Sequence, residues 1–387
     1  SDLRVDNSQS TVKKPVFGNS ETLRVIVELE DEPAILAGEA AAEKIAASEA
    51  SVKQKMRELG IPFNELFSMD TLVSAFSIEV KRQYLTEISK IPGVKRVHEA
   101  QRYLPPDVKP TKGGNPPDHK GATPELYASV DIIGAQKVWN ETGYRGEGTL
   151  VGILDTGFDI NHNAFSLDEG VEVKYTEAEM NALIREKGLP GKYVSSKVPY
   201  VFNYQDMTAD SLLDSYGSRH GLHVAGIIGA NAKEGKGEIP PIRGVAPHAQ
   251  LAILKVFSQD VTMVSTPTDA QVRAIEDAIK LGCDSINMSL GSRAGFVEGD
   301  DSLINVAFRN ARAAGVFVAV SQGNNATPYE GRREYGLLYA KKENPDLSNS
   351  SSPALSSWAS AVASTENTSM VTNVAKASFS GGVKNIG

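Results

Sequence analysis

Cysteine is nearly absent from the sequence, since Cys283 is the only one in 387 residues. A single thiol excludes a framework of internal disulfides. The surroundings of Cys283, Leu-Gly-Cys-Asp-Ser-Ile-Asn, are typical of a small buried apolar residue and not of a reactive thiol. Scarce cysteine is compatible with an extracellular bacterial protein and equally with a cytosolic one.

Long apolar runs and excess positive charge are missing as well. No apolar run approaches the length of about 18 residues that a membrane-spanning helix needs. The net charge of −8 argues against nucleic acid or an anionic membrane as the main partner. No signal peptide is visible at Ser1, and we expect a secreted form to have lost it already. What is present is an ordinary globular composition, 41% hydrophobic and 23% charged, with enough length for two or three domains.

Residues 219–226, Arg-His-Gly-Leu-His-Val-Ala-Gly, carry the strongest chemical signal. The small and branched residues that follow predict a buried helix whose first turn presents His220 to a cleft. An imidazole there can exchange a proton near neutral pH, although the positive end of a helix disfavours its charged form. A carboxylate is therefore needed to orient the ring and to offset its charge. We expect His223, one turn deeper, to serve folding more than chemistry.

Two apolar runs bounded by glycine, at 149–154 and 315–320, predict buried strands of a parallel sheet. Asp155 follows the first run and Asn324 follows the second. Because open α/β sheets place functional residues at the carboxyl ends of their strands, both residues fall at a candidate site. Asp155 can supply the carboxylate for His220, and the amide of Asn324 can donate a hydrogen bond to a developing oxyanion.

These stretches resemble the subtilisin-like serine proteases, which carry Asp, His and Asn blocks in this order. Five segments match blocks of that family: Asp155-Thr-Gly, His220-Gly-Leu-His-Val-Ala-Gly, Gly244-Val-Ala-Pro-His-Ala, Ile286-Asn-Met-Ser-Leu-Gly and Gln322-Gly-Asn324. One departure is Leu222, where the family usually has Thr. The larger departure is that the Gly-Thr-Ser block with the family's nucleophile does not occur between Asn324 and Gly387.

The resemblance implies a site that hydrolyses peptide bonds. His220 would act as base and then as acid, Asp155 would hold its tautomer, and Asn324 would bind the oxyanion. The backbone of two segments would pair with a protein or peptide substrate: Ser289, Leu290, Gly291, Ser321, Gln322 and Gly323. No cofactor is required. Loops of this family often bind structural Ca²⁺, and aspartates here could do so, but no regular ligand spacing is visible.

The sequence predicts four parts: a polar N-terminal arm at 1–20, a small domain at 21–104, a Pro- and Gly-rich linker at 105–124, and an incomplete catalytic domain at 125–387. Patterns in the small domain follow the order β-α-β-β-α-β of the ferredoxin-like motif. The domain resembles the inhibitory propeptide of subtilisin-like proteases. That resemblance implies that it packs on the catalytic sheet and lays its tail, from about His98, along the cleft. The alternative is an unrelated small α+β module.

Strands and helices alternate through the catalytic domain, which predicts an α/β fold: a parallel sheet flanked by helices and joined by right-handed crossovers. A helix over 268–281 has a Thr-x-x-Gln capping box, and 358–363 has the pattern of a buried strand. The polar stretch 166–218 either shapes the cleft or is a solvated insertion. We expect His162, just before it, to be structural.

The end of the sequence leaves two possibilities open. Residues after about 368 are similar to the cell-envelope and minor extracellular branch of the family, in which an inserted protease-associated domain often precedes the nucleophile. Alternatively, Ala377-Ser-Phe-Ser-Gly is the family's short strand before the nucleophile, with no insertion. Membership of this branch implies a secreted or cell-surface location, in a bacterium.

Three functional hypotheses remain. The first is a secreted endopeptidase with an Asp-His-Ser triad, whose serine lies in a C-terminal remainder of the enzyme. The second is a catalytically silent relative that binds peptides or acts in signalling. The third, a structural protein, is disfavoured because nothing structural requires Asp155, His220 and Asn324 together. A Gly-Thr-Ser block beyond Gly387 would separate the first hypothesis from the second.

Overall fold

The computed structural model describes most of the chain, namely residues 20–103, 125–210, 212–213, 219–234, 241–260, 265–292, 299–324, 333–334, 337–338, 350–364, 375–379 and 382–386. The predicted arm, except for Ser20, and the whole predicted linker lie outside these residues. The chain forms two compact units, Ser1–Ala100 and Gln101–Gly387. Residues 101–103, which the sequence assigned to the small domain, thus belong to the second unit.

The first unit contains one four-stranded sheet and its helices. In chain order its elements are β1 (Thr22–Leu29), α1 (Ala34–Ala37), α2 (Ala40–Glu58), β2 (Phe63–Met69), β3 (Ala75–Lys81), a 3₁₀ turn (Arg82–Tyr84), α3 (Leu85–Ile88) and β4 (Val94–Glu99). The strands are antiparallel and follow the order β2-β3-β1-β4 across the sheet. The connections run β-α-β-β-α-β along the chain, so each helix returns the chain to the same sheet.

Helix α2 closes this sheet on one face. Its buried residues Ile45, Val52 and Met56 recur at helical spacing and pack in one core with Val25 and other residues of the strands. Residues 34–59 are rich in Ala, Glu and Lys, with apolar residues near helical spacing, and this pattern predicts a single helix. The structure instead separates α1 from α2 at Gly38, whose φ of 88° is a left-handed conformation that glycine adopts without steric cost.

The second unit is built on a parallel sheet. In chain order its elements are β5 (Arg102–Tyr103), α4 (Glu125–Ile132), α5 (Ala135–Thr142), β6 (Leu150–Asp155), α6 (Glu177–Glu186), β7 (Tyr200–Asn203), α7 (His220–Gly229), β8 (Gln250–Lys255), β9 (Thr266–Pro267), α8 (Thr268–Lys280), β10 (Ser285–Met288), α9 (Leu303–Ala313), β11 (Phe317–Ser321), β12 (Arg333–Glu334), β13 (Leu337–Leu338), β14 (Ser360–Val362), β15 (Ala375–Phe379) and β16 (Gly382–Ile386). Six strands form the sheet in the order β14-β11-β10-β6-β8-β7, and every neighbouring pair is parallel. The predicted α/β architecture is confirmed.

Two strands of this sheet differ from their sequence predictions. Strand β7 lies within the polar stretch 166–218, so part of that stretch belongs to the sheet. All four of its residues are buried against the adjoining strand. Strand β14 is an edge strand with two exposed residues, and not the buried strand predicted at 358–363.

Helix α8 begins differently from its prediction. Thr268 is its first residue, and Pro267 before it supplies no side-chain cap. Because Thr268 lies inside the helix and not at its N-cap, it does not close the predicted capping box. Its hydroxyl donates to the carbonyl of Gln101 at 3.2 Å. At the other end of the unit, β15 and β16 form an antiparallel pair separate from the parallel sheet. Residues 377–379 therefore add no strand to that sheet, and residues 380–381 lie outside the described residues.

Candidate active site

Asp155 is the last residue of β6, one of the two central strands of the parallel sheet. Its side chain is buried, and the residue is only 1% exposed. Oδ1 accepts a hydrogen bond from the main-chain amide of Thr156 at 2.7 Å. The carboxylate therefore lies where the sequence predicted it, at the carboxyl edge of the sheet, in a position fixed by the turn that follows the strand.

His220 is the first residue of α7, and its ring meets Asp155 directly. Nδ1 lies 2.7 Å from Oδ1 of Asp155, and the His220 side chain is 18% exposed. Because a carboxylate can only accept, Nδ1 carries the proton of this bond, which leaves Nε2 of the neutral ring as an acceptor. Burial opposes protonation of the ring, but the hydrogen bond and charge of Asp155 outweigh it and raise the pKa of His220 above its ordinary value.

Thr156 and Gly221 hold the strand end and the helix start together. The hydroxyl of Thr156 accepts a hydrogen bond from the amide of Gly221 at 3.0 Å, which satisfies one of the unpaired donors at the start of α7. A Cβ atom at position 221 would lie 2.6 Å from the carbonyl oxygen of Thr156. Only glycine permits that approach. Sequence reasoning gave Thr156 no role, although its place directly after the strand-end carboxylate was visible.

Asn324 lies at the same edge of the sheet, three residues beyond the end of β11. Its side chain is exposed. Strand β10 separates β11 from β6, so the two strand ends are roughly 10 Å apart. A substrate carbonyl between them would have the base on one side and an amide donor on the other.

Three of the six predicted substrate-binding residues follow β10, and the other three lie at or just after the end of the neighbouring strand β11. Gln322 is already engaged within the protein, because its amide donates to Val362 at 2.8 Å and its carbonyl accepts from Ser351 at 2.9 Å. Ser351 also approaches Gly323, where a Cβ atom would lie 1.9 Å from its hydroxyl. Ser321 is engaged as well, because it belongs to β11 and pairs with Val362 of β14.

The two remaining histidines near the site have different surroundings. Nδ1 of His162 accepts a hydrogen bond from the amide of Ala164 at 3.2 Å, and the ring contacts the edge of Phe165. These contacts fit the structural role expected for it. His223 was expected to lie deep in the fold, and this is wrong: it is exposed on the outer side of α7.

The sequence around this site matches the profile of a known protein family. The profile of the Subtilase family matches residues 146–386, which contain both strand ends and α7. The chain belongs to the subtilase family.

Relatives of this subtilase chain are large bacterial proteases. The PIII-type proteinase of Lactococcus lactis subsp. cremoris is 34% identical over 331 residues, or 85% of this chain and 16% of the relative. The C5a peptidase of Streptococcus pyogenes is 31% identical over 211 residues, or 52% of this chain and 18% of the relative. The chain thus spans less than a fifth of the length of these relatives. The Staphylococcus aureus epidermin leader peptide processing serine protease superposes with a TM-score of 0.46 at 16% identity, covering 79% of this chain and 61% of its own.

For the residues of the subtilase unit that the structure describes, the structural Ca²⁺ site stays a prediction. No group of three or more His, Cys, Asp and Glu side chains in those residues could hold a metal ion. Asp168 is the clearest example, because its oxygens contact Lys233, Asn231 and Nε2 of His248. Cationic and amide groups of the protein occupy its acceptor positions. Among the described helices, none has the length and apolarity to cross a bilayer.

Residues 101–103 run along the carboxyl-end side of the subtilase sheet. Strand β5 pairs antiparallel with β9, with Tyr103 opposite Thr266 and Arg102 opposite Pro267. The carbonyl of Gln101 accepts from the amide of Thr268 at 2.9 Å. Strand β9 stands between the carboxyl end of β8 and the start of α8, so residues 101–103 of the second unit lie near the edge that carries Asp155.

Proposed function

We propose that this chain is the N-terminal portion of a subtilisin-like serine endopeptidase that hydrolyses peptide bonds through an Asp-His-Ser triad. The observation that carries the proposal is the 2.7 Å bond between Nδ1 of His220 and Oδ1 of Asp155. The bond directs the basic nitrogen Nε2 away from the carboxylate. Asp155 holds the tautomer and stabilises the imidazolium that forms when His220 accepts a proton.

The third member of the triad is a serine outside these 387 residues. Its hydroxyl would lie within about 3 Å of Nε2, lose its proton to His220 and attack the substrate carbonyl. His220 would then return the proton to the leaving amine. Support for a further segment comes from the relatives, of which this chain matches only 16–18%.

Asn324 and the segments at the ends of β10 and β11 would serve the substrate. The Asn324 amide would donate to the oxyanion, an interaction worth about 2.7–4 kcal/mol in comparable sites. The segments 289–291 and 321–323 would hold an extended peptide through its main chain, which gives affinity with little demand on side chains. The relatives named proteinase and peptidase are bacterial, which supports a secreted or cell-surface location.

The first unit would act as an inhibitory propeptide. The support is the chain that leaves it, since residues 101–103 already pair as a peptide strand with β9 beside the candidate site. A substrate in the same place would meet the same backbone groups. Cleavage in the segment 105–124 would free the unit, which would continue to inhibit until it is degraded.

The experiment uses the full-length protein and a fluorophosphonate probe, which reacts only with an activated serine. We expect one serine to be labelled, and His220→Ala to abolish both labelling and casein hydrolysis while circular dichroism stays unchanged. A folded protein that is never labelled would instead support the catalytically silent relative. Labelling that survives His220→Ala would remove His220 from the mechanism.

A further inference from the structure

A turn at residues 203–208 follows β7 at the sheet edge that carries Asp155, because β6, β8 and β7 are parallel neighbours. The amide of Asn203 donates to the carbonyl of Thr208 at 2.8 Å, and the Thr208 amide donates back to the Asn203 carbonyl at 3.2 Å. Met207 adopts a left-handed φ of 54°, which is costly for a residue with a Cβ atom. The hydrogen bonds thus hold the turn in a conformation that Met207 alone would not favour.

Asp206 extends from this turn to the segment that follows β8. Its Oδ1 accepts a hydrogen bond from the hydroxyl of Ser258 at 2.7 Å, and its Oδ2 accepts from the main-chain amide of Gln259 at 2.8 Å. Oδ2 also accepts from the side-chain amide of Asn203 at 2.8 Å. The hydroxyl of Ser258 in turn accepts from the amide of Asp260 at 2.9 Å. Bonds to a carboxylate are stronger than bonds between neutral groups, so one side chain fixes the backbone of a segment about 50 residues further along the chain.

The segment 256–260 leads from the candidate site towards β9. Its first amide, that of Val256, donates to the main-chain carbonyl of Asp155 at 3.1 Å, and its first three residues are buried. Strand β9 begins at Thr266 and pairs antiparallel with residues 102–103. An extended peptide would pair with β9 as those residues do. The position of the segment therefore helps to set where such a peptide lies relative to Asp155.

We infer that Asp206 is a positioning residue for peptide binding, which holds the segment 256–260, and through it β9, where an extended peptide pairs. This inference rests on the proposed function. Asp206 touches no substrate, and the contact between Asp155 and His220 does not involve it. Its loss therefore weakens the binding of an extended peptide and leaves the chemistry of the site in place. An ester of a single amino acid has no main chain to pair as a strand, so its hydrolysis does not depend on Asp206.

The first test needs no catalysis and uses full-length protein with His220→Ala, which keeps the chain uncut. Hydrogen exchange at the amide of Thr268 reports how often β5 leaves β9, because this amide donates to the carbonyl of Gln101 just before β5. We expect Asp206→Ala to speed this exchange by about tenfold, because β9 is then less firmly placed. The control Asp210→Ala removes an exposed carboxylate four residues further on and should leave the exchange rate as it was. An unchanged rate in folded Asp206→Ala would overturn the inference.

The second test compares two substrates of the processed full-length enzyme that share the residue at the scissile bond. One is a peptide with several residues before that bond, and the other is an ester of the single amino acid. Asp206→Ala should raise KM for the peptide by about tenfold with little change in kcat, and should change the kinetics of the ester by less than about twofold. Asp206→Asn keeps one acceptor oxygen and should recover part of the loss. An equal loss on both substrates, or no loss on the peptide, would overturn the inference.

Ser258→Ala shows whether the effect passes through the segment after β8. It should raise KM for the peptide by less than Asp206→Ala does, and the double variant should lose less than the sum of the two, because both changes remove the same bond. Fully additive losses would overturn the inference. If Asp206→Ala does not fold, Asp206→Asn and Ser258→Ala take its place in both tests. Failure of the fluorophosphonate to label any serine of the parent would count against the proposed function, and exchange at Thr268 would still decide whether Asp206 holds β9.

Discussion

The two halves of the candidate site are held in different ways. On the base side, Asp155 and His220 touch at 2.7 Å, and the amide of the buried Gly221 donates to the hydroxyl of the buried Thr156, which joins helix to strand. On the oxyanion side, Asn324 stands beyond a strand end with its side chain exposed. The base half is thus assembled in the free protein, whereas under the proposed function the amide of Asn324 would gain its hydrogen bond from the substrate. Substitutions in the full-length protein should separate the halves.

The largest effect is expected for Asp155→Asn, which should lower kcat by about 10⁴-fold because the amide stabilises the wrong tautomer of His220. The same variant should move the acid limb of kcat/KM to lower pH. His220 must be neutral to accept a proton, so activity rises with pH through its pKa. Asp155 raises the pKa of His220, and loss of its charge therefore moves the acid limb to lower pH.

A pH profile of kcat/KM checks this prediction, with Asp159→Asn as the control. Asp159 is a carboxylate four residues along the chain whose Oδ1 accepts from the amide of Asn161, so it should leave the limb in place. An acid limb that does not move in Asp155→Asn would show that another group governs it.

The second prediction concerns the other half. Asn324→Ala should lower kcat by about 10²–10³-fold with a smaller change in KM, because the amide acts on the oxyanion of the transition state. Steady-state kinetics with a peptide substrate measure both constants. If KM rises while kcat holds, Asn324 binds the ground state, and the contrast between the halves loses its basis. Thermal stability should not change, since the side chain is exposed.

The third prediction returns to the base half. Gly221→Ala puts a Cβ atom 2.6 Å from the Thr156 carbonyl, so the helix start must move away from the strand. A displacement near 1 Å is enough to lower kcat by about 10²-fold. Gly152→Ala is the matched control, because a Cβ there meets its nearest neighbours at an ordinary 3.4 Å. Equal kinetics in the two variants would show that the close approach has no catalytic consequence.

The smallest effect is expected for Thr156→Val, which removes the acceptor for the amide of Gly221. Loss of such a cap costs about 1 kcal/mol of folding free energy, and kcat should change by less than tenfold. Thr156→Ser keeps the hydroxyl and should behave as the parent. Denaturant titration of the three proteins gives the free energies, and a valine variant as stable as the parent would show that the bond to the Gly221 amide makes no measurable contribution.

The sequence was most informative where a short motif defines its own surroundings. The strand before Asp155 and the helix at His220 follow from apolar runs bounded by glycine, and their contact follows from the chemistry of a base. Sequence patterns gave incorrect predictions where a residue far away in the sequence determines the local structure. Thr268 is the first residue of α8 and not its N-cap, and its amide and hydroxyl both donate to Gln101, 167 residues away. Strand β7 was not predicted, because it has only four residues and lies inside a polar stretch.

His223 shows the same limit on a helix face. Periodicity identifies which residues share a side of α7, but it does not say which side the fold covers. The sheet buries Val224 and Ala225 and leaves His223 outside. That outcome depends on the crossover between β7 and β8, which no local pattern encodes.

The hydrogen bonds that the Gln101 carbonyl accepts affect the free energy of replacing residues 101–103 by another peptide. It accepts two hydrogen bonds from Thr268, one from the amide at 2.9 Å and one from the hydroxyl at 3.2 Å. The first amides of a helix have no acceptor within the helix. If residues 101–103 depart, Thr268 is left with donors that cost about 1–3 kcal/mol while they stay unpaired in a buried setting. An incoming peptide that offers a carbonyl at the same point recovers that free energy. Departure of one strand and arrival of another are then coupled through the first turn of α8, so the freed enzyme should be least stable when its cleft is empty.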